Sequence, residues 1–138
     1  MYKSIIVAVD LAHGDLGKAL LGRAIELLDE GGTVRLVHVL EEVPSYVAAE
    51  LPRDIGERRN AEAMVELKTM AQGAGTDAKV LAEVRSGAAS GQILQSAEDN
   101  GADLIMIASH RPGLSDYFIG STAARVVRHA QCSVLISR

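Results

Sequence analysis

Tryptophan is absent, phenylalanine occurs once and tyrosine three times in 138 residues. A core with so few aromatics has to be aliphatic and alanine-rich, which suits helices laid on a parallel sheet. Cysteine occurs once. A lone Cys132 excludes an internal disulfide and fits a reducing compartment. It stands just before an apolar run and reads as a small buried residue, not a nucleophile. No Cys/His cluster has metal-ligand spacing, so no metal-binding residue is assigned. Basic residues are outnumbered, 14 Lys and Arg against 18 Asp and Glu, giving a net charge of −4 and a pI of about 5.5. That leaves no basic face to attract a nucleic acid backbone. No apolar run approaches the about 20 residues needed to cross a bilayer. The opening Met1-Tyr2-Lys3-Ser4 runs into an apolar segment without the pattern of a signal peptide. The expectation is a cytoplasmic protein with no nucleic acid partner and no membrane insertion. Neither a tandem repeat nor a low-complexity segment marks a second domain, so residues 1–138 are read as one.

What is present is an alternating pattern. Hydrophobic residues make up 48% of the chain, enough to bury one core. Residues 4–9 are apolar and β-branched and predict a buried strand ending at Asp10. Residues 15–28 place Leu16, Ala19, Leu20, Ala24, Leu27 and Leu28 at helical spacing, with Gly31-Gly32 as the stop. A second strand is expected over 33–39. Two prolines, Pro44 and Pro52, break the pattern over 41–53, which reads as a surface excursion with a short helical turn. Residues 54–72 predict a helix offering Ala61, Met64, Val65, Leu67 and Met70 inward. A strand over 79–85 alternates imperfectly, as for one with an exposed face or end. Residues 88–100 predict a helix carrying Ile93, Leu94 and Ala97, closed by Asn100-Gly101. A fourth strand is expected over 104–108, a helix over 121–129 with Ala124, Val126 and Val127 inward, and a fifth strand over 133–137. The order β-α-β-α-β-α-β-α-β implies a three-layer α/β/α sandwich around a five-stranded parallel sheet. Ligands on such sheets bind beyond the carboxyl ends of the strands, where strand order reverses.

One stretch carries the chemistry. Residues 104–122 read L-I-M-I-A-S-H-R-P-G-L-S-D-Y-F-I-G-S-T: a buried strand, a polar loop, then a helix start at Gly120-Ser121-Thr122. The first N–H groups of a helix have no internal partner and suit an anion. Gly-Ser-Thr alone would read as an ordinary cap, but His110 and Arg111 in the same loop favour a phosphate, and Arg111 can add charge-assisted hydrogen bonds. Asp10, at the end of the first strand, stands evenly between accepting from a nucleoside and capping the next turn. His38, inside an apolar strand, reads as a satisfied core histidine, and His13 beside Gly14 as solvent-exposed. Ser86 to Gly91 reads as a strand-to-helix turn and lacks the lysine of a P-loop.

This stretch resembles the nucleotide-binding segment of the universal stress protein family, which typically reads G-x2-G, nine residues, then G-[S/T]. The resemblance covers nearly the whole chain, from Ile5-Ile6-Val7-Ala8-Val9-Asp10 to Cys132-Ser133-Val134-Leu135-Ile136-Ser137. Ala108 and Arg111 stand where the two glycines are usual, and the loop is one residue shorter. A-S-H-R-P with Y-x-x-G-S looks like the variant of an ATP-associated subgroup. The resemblance implies an adenine nucleotide alpha hydrolase-like, Rossmann-like fold. It implies ATP, ADP or AMP as ligand, with Mg²⁺ held partly by the phosphates. Carried over, it implies a binding set of Ala8, Val9, Asp10, Val39, Ala108, Ser109, His110, Arg111, Gly113, Gly120, Ser121 and Thr122. Asp10 is thereby tipped toward the nucleotide, and Val39 would meet adenine through its main chain. A homodimer through the C-terminal strand, and a role in the stress response with an unknown regulatory protein partner, are implied as well.

No general base or activated nucleophile accompanies the loop, so no catalytic residue is assigned; weak ATP hydrolysis or self-phosphorylation is the most expected. An adenylating synthetase would need a Ser/Gly-rich loop after its first strand, where Asp10-Leu11-Ala12-His13-Gly14 stands. A phospho-acceptor receiver would need an acidic pair there and a late lysine. A nucleotide-free dimerisation module remains the alternative, kept open by Ala108 and Arg111 and opposed by Gly120-Ser121.

Overall fold

The computed structural model describes residues 1–42, 44–52, 54–109 and 120–138. Five strands form one parallel sheet: β1 (Tyr2–Ala8), β2 (Leu28–Leu40), β3 (Lys79–Ser86), β4 (Leu104–Ala108) and β5 (Ser133–Ser137), in the order β3-β2-β1-β4-β5. The connections are a 3-10 turn (Leu11–His13) running into α1 (Gly14–Leu27), then α2 (Ser45–Ala48) and α3 (Ile55–Gln72), α4 (Ala89–Asp99), and α5 (Ser121–His129). The expected three-layer α/β sandwich is what forms.

Alternation along the strands sorts the core into two layers. Ile5, Val7, Val34, Leu36, Leu104 and Met106 face α1 and α3, meeting Leu20, Leu21, Ala24, Leu67 and Met70. Ile6, Val37, Ile105 and Ile107 face the other way, against Ile93 and Ala97 of α4 and Ala123 and Val126 of α5. The central strands β1 and β4 are covered on both faces, which explains their unbroken apolar runs. β3 lies at an edge and none of its residues is fully buried. That is the physical origin of its imperfect alternation.

Three local expectations need correction. The first helix does not run to Gly31-Gly32. It ends at Leu27, and Leu28 is already extended (φ −79°, ψ 131°). The strand therefore begins at Leu28, and its pairing with β1 shifts between Tyr2↔Leu28 and Ser4↔Thr33. The glycines serve that irregularity. Gly31 has φ +81°, and a Cβ on Gly32 would lie 2.8 Å from the Lys3 carbonyl oxygen and 2.7 Å from Leu28 Cδ1. Gly32→Ala should accordingly cost about 1–3 kcal/mol, read as a lower midpoint in urea with an unchanged slope. The other two corrections concern facing. Along α3 the buried stripe is Ala63, Leu67 and Met70, while Ala61 is exposed and Val65 is 64% exposed. Val65 sits two residues from both Ala63 and Leu67, about half a turn away. Along α5 the buried pair is Ala123 and Val126, three apart, which turns Val127 outward to 50% exposure.

The polar structure is concentrated under α4. Glu83 of β3 accepts from Arg85 (2.8 Å), Arg35 (3.1 Å) and the hydroxyl of Ser96 (2.8 Å), which is fully buried. Arg85 also donates to Gln92 (2.9 Å) and Asp99 (3.2 Å). Burial opposes the Glu83 charge, but the hydrogen bonds from Arg85 and Ser96 and the charges of Arg35 and Arg85 outweigh it and hold the carboxyl below its ordinary value. At the opposite end of the sheet, Asp103 ties β4 to β1 by accepting from the Lys3 and Ser4 amides (2.9 and 3.0 Å).

Candidate functional site

Strand order reverses between β1 and β4: β1 is followed outward by β2 and β3, β4 by β5. The carboxyl ends of these two strands diverge there, and a cavity of about 540 Å³ opens above them. One wall comes from the sheet edge, with Ala8, Val9, Asp10, Val37, His38, Val39, Leu40, Ile107, Ala108 and Ser109. The others come from α1 (Leu16, Gly17, Leu20), α3 (Arg59), α4 (Ala89, Ile93) and the start of α5 (Gly120, Thr122, Ala123). A larger groove of about 720 Å³ lies between α1 and α3, but no strand residue lines it. The cavity over the strand ends, not that groove, gathers polar groups around an apolar floor, as a binding site does.

Backbone bonds fix the rim. The Val9 amide donates to Val37 O (2.8 Å), the Gly87 amide to Leu40 O (3.0 Å) and the Ser109 amide to Ser137 O (2.9 Å). Asp10 caps the 3-10 turn, its Oδ1 accepting from the Ala12 amide at 3.0 Å. Its other carboxylate oxygen has no partner among the described residues, so the cap and a ligand do not compete for the same atom. His38 Nδ1 lies 2.9 Å from Val9 O. A carbonyl only accepts, so this contact places the proton on Nδ1 and leaves Nε2 an acceptor in the neutral ring. His38 is thus satisfied, as the sequence suggests, and it also braces the backbone immediately before Asp10.

The start of α5 forms the opposite end. Gly120 is its N-cap (φ −54°, ψ 153°) and, as a glycine, has no side chain with which to cap it. The Ala124 amide reaches Gly120 O (2.9 Å), so the amides of Ser121, Thr122 and Ala123 are the ones a helix leaves without an internal acceptor. Arg128 occupies the last turn beside His129, and its charge there suits the helix dipole. Cys132 is half-buried; burial, then the charge of Asp103, push its thiol up, away from a nucleophile.

Of the residues expected at the site, Ala8, Val9, Asp10, Val39, Ala108, Ser109, Gly120 and Thr122 line the one cavity. Ser121 is the exposed first residue of α5 and does not line it. His110, Arg111 and Gly113 lie outside the described residues. Sequence reasoning missed Glu41 and Arg59, and placed His13 in solvent; it is exposed, yet it stands at the rim. Glu41 directly follows β2 and His13 closes the turn after β1; only the fold brings Arg59 of α3 to the strand ends. Among the described residues no group of three or more His, Cys, Asp or Glu side chains is arranged to hold a metal ion. No described helix is long and apolar enough to cross a membrane.

The profile of the universal stress protein family matches residues 1–138. The chain belongs to that family. It is 32% identical to universal stress protein G of Shigella flexneri over 142 residues, covering 100% of both chains. Among solved structures, it superposes on a universal stress protein in complex with cAMP with a TM-score of 0.69 at 21% identity, covering 99% of this chain and 97% of that one. It also superposes on the universal stress protein from Archaeoglobus fulgidus in complex with dAMP, with a TM-score of 0.64 at 23% identity, covering 99% and 98%. At these identities the structural likeness shows the fold. In this universal stress protein domain the switch-point cavity lies between Asp10 and the start of α5.

Proposed function

We propose that this universal stress protein domain is an adenine-nucleotide-binding regulatory module, with ATP the favoured ligand over ADP and AMP. The observation that carries the reading is the α5 N-terminus, whose N-cap is a glycine, opening on the same cavity as Asp10. Helix-end amides suit phosphate, and a free carboxylate oxygen suits a ribose hydroxyl or an adenine amine. The complexes of two fold neighbours with cAMP and dAMP support the adenine moiety. In this reading Val39 offers main-chain groups to the base. Gly120, Ser121 and Thr122 receive the phosphates, joined from the loop by His110, Arg111 and Gly113. A Mg²⁺ ion would be held by phosphate oxygens and water, since it needs no dedicated protein cage. Hydrolysis is slow at most, and the protein acts through binding, in the cytoplasm, in the stress response.

Mass spectrometry of small molecules released from the denatured protein tests this, together with melting in the presence of ATP. Bound adenine nucleotide, or a rise in melting temperature with ATP, is expected. If neither is observed, the nucleotide-free dimerisation module is left, which the alanine at position 108 of the cavity wall favours.

The dimer is proposed through β5. It is an edge strand whose Val134, Leu135 and Ile136 are only half-buried. Ser137 O is taken by β4, so by alternation the amides and carbonyls of Val134 and Ile136 point to the open edge. Val134→Pro removes one edge donor and should shift the protein from dimer to monomer in sedimentation velocity. A variant with native circular dichroism that remains dimeric overturns the β5 interface.

A further inference from the structure

We infer that Arg59 is a specificity-determining residue that covers the face of a purine base at the β2 end of the cavity. This rests on the nucleotide reading above and deepens it.

Two neighbouring arginines begin α3 and have different fates. Arg58 is held by Asp54 at 2.9 Å, one turn back. Arg59 lines the cavity and makes no hydrogen bond or ion pair among the described residues. Its guanidinium is therefore available to a ligand without breaking a bond to any described residue.

The topology decides which part of a ligand it meets. α3 packs on β3 and β2, whereas α5 packs on β5 and α4. The order β3-β2-β1-β4-β5 puts β1 and β4 between them. With strands about 4.8 Å apart, the two ends of the cavity are separated by about 10–15 Å. A phosphate on the α5 amides is thus out of reach of Arg59 unless the ligand is long, and the far end of such a ligand is its base. The lining chemistry agrees. The described walls contain no Phe, Tyr or Trp, and β2 lines its end of the cavity with the half-buried Val39 and Leu40, beside His38 and Glu41. A planar base on that aliphatic pair has one face on hydrocarbon and the other open. A guanidinium is the flat, weakly hydrated cation that stacks on such a face, and an ammonium is not its equivalent.

Titration calorimetry with adenosine, cytidine and ATP separates the outcomes, using the full chain, Arg59→Ala and Arg59→Lys. Arg59 is exposed, so both variants should melt as the wild type does. Arg59→Ala should weaken adenosine and ATP equally, by roughly three- to thirtyfold, and narrow the preference for adenosine over cytidine. Arg59→Lys should restore less than half of the loss in log affinity. A loss confined to ATP and restored by lysine would make Arg59 a phosphate contact and overturn the proposal. Unchanged affinities would overturn it too, leaving the nucleotide reading intact. A wild-type protein that binds none of the three removes both.

Discussion

Ser121→Pro should fold as the wild type does and bind ATP about 10- to 100-fold more weakly. The two halves of that expectation have separate physical grounds. Ser121 is the first residue of α5, where proline's fixed φ suits the helix and its missing N–H breaks no internal bond. Gly120 before it is already extended, at φ −54° and ψ 153°, the conformation a following proline demands. The substitution therefore deletes one amide that has no acceptor within the helix, and spares the helix. A hydrogen bond from an amide to a charged phosphate contributes about 1.5–3 kcal/mol, which sets the loss. Ser121→Ala keeps the amide and removes only the hydroxyl, so it should cost far less. Calorimetry on both variants checks the ordering. Equal losses would assign the binding to the Ser121 hydroxyl, and no loss in either would take the phosphate away from α5.

The same helix start shows how far the sequence could be read. Gly120-Ser121-Thr122 after a polar loop announces a helix beginning at 121, and α5 begins there. The strands at 104–108 and 133–137 were legible because burial on both faces, or at a sheet edge, writes an apolar run bounded by turn residues. Gly31-Gly32 misled for a physical reason. Glycine marks a helix stop and a strand irregularity equally well, and only the pairing with Tyr2 and Ser4 distinguishes them. Val65 and Val127 misled because a valine near a buried stripe satisfies the apolar pattern without sharing its azimuth. At the cavity, Asp10 and Val39 were legible as strand ends. Arg59 and Glu41 were not. They belong to a solvated-looking helix start and a broken loop, and no local pattern tells which of Arg58 and Arg59 turns to the cavity. The polar cluster under α4 was equally invisible, since Arg35, Glu83, Arg85 and Ser96 meet only across the strand order.

That cluster carries the largest stability effect expected of a polar substitution. Glu83→Ala removes the acceptor of Arg35, Arg85 and Ser96 together. Arg85 keeps Gln92 and Asp99, but the fully buried Ser96 hydroxyl loses the acceptor to which it donates. A stranded buried donor beside a half-buried cation costs about 2–4 kcal/mol. Glu83→Gln retains a carbonyl acceptor and should cost about half as much. The two variants also differ in what acid does. The Glu83 carboxyl is held below its ordinary value in the folded protein, so its contribution is complete above the ordinary carboxylate pKa of 4.5. It is lost as pH falls through the lower folded value, because the unfolded chain takes up the proton first. Urea unfolding from pH 7 down to pH 3 should therefore show wild-type stability falling more steeply than that of Glu83→Gln, with the two curves converging at the acid end. Parallel curves would mean that Glu83 gains nothing from its partners, and that Arg35 and Arg85 are held by packing alone.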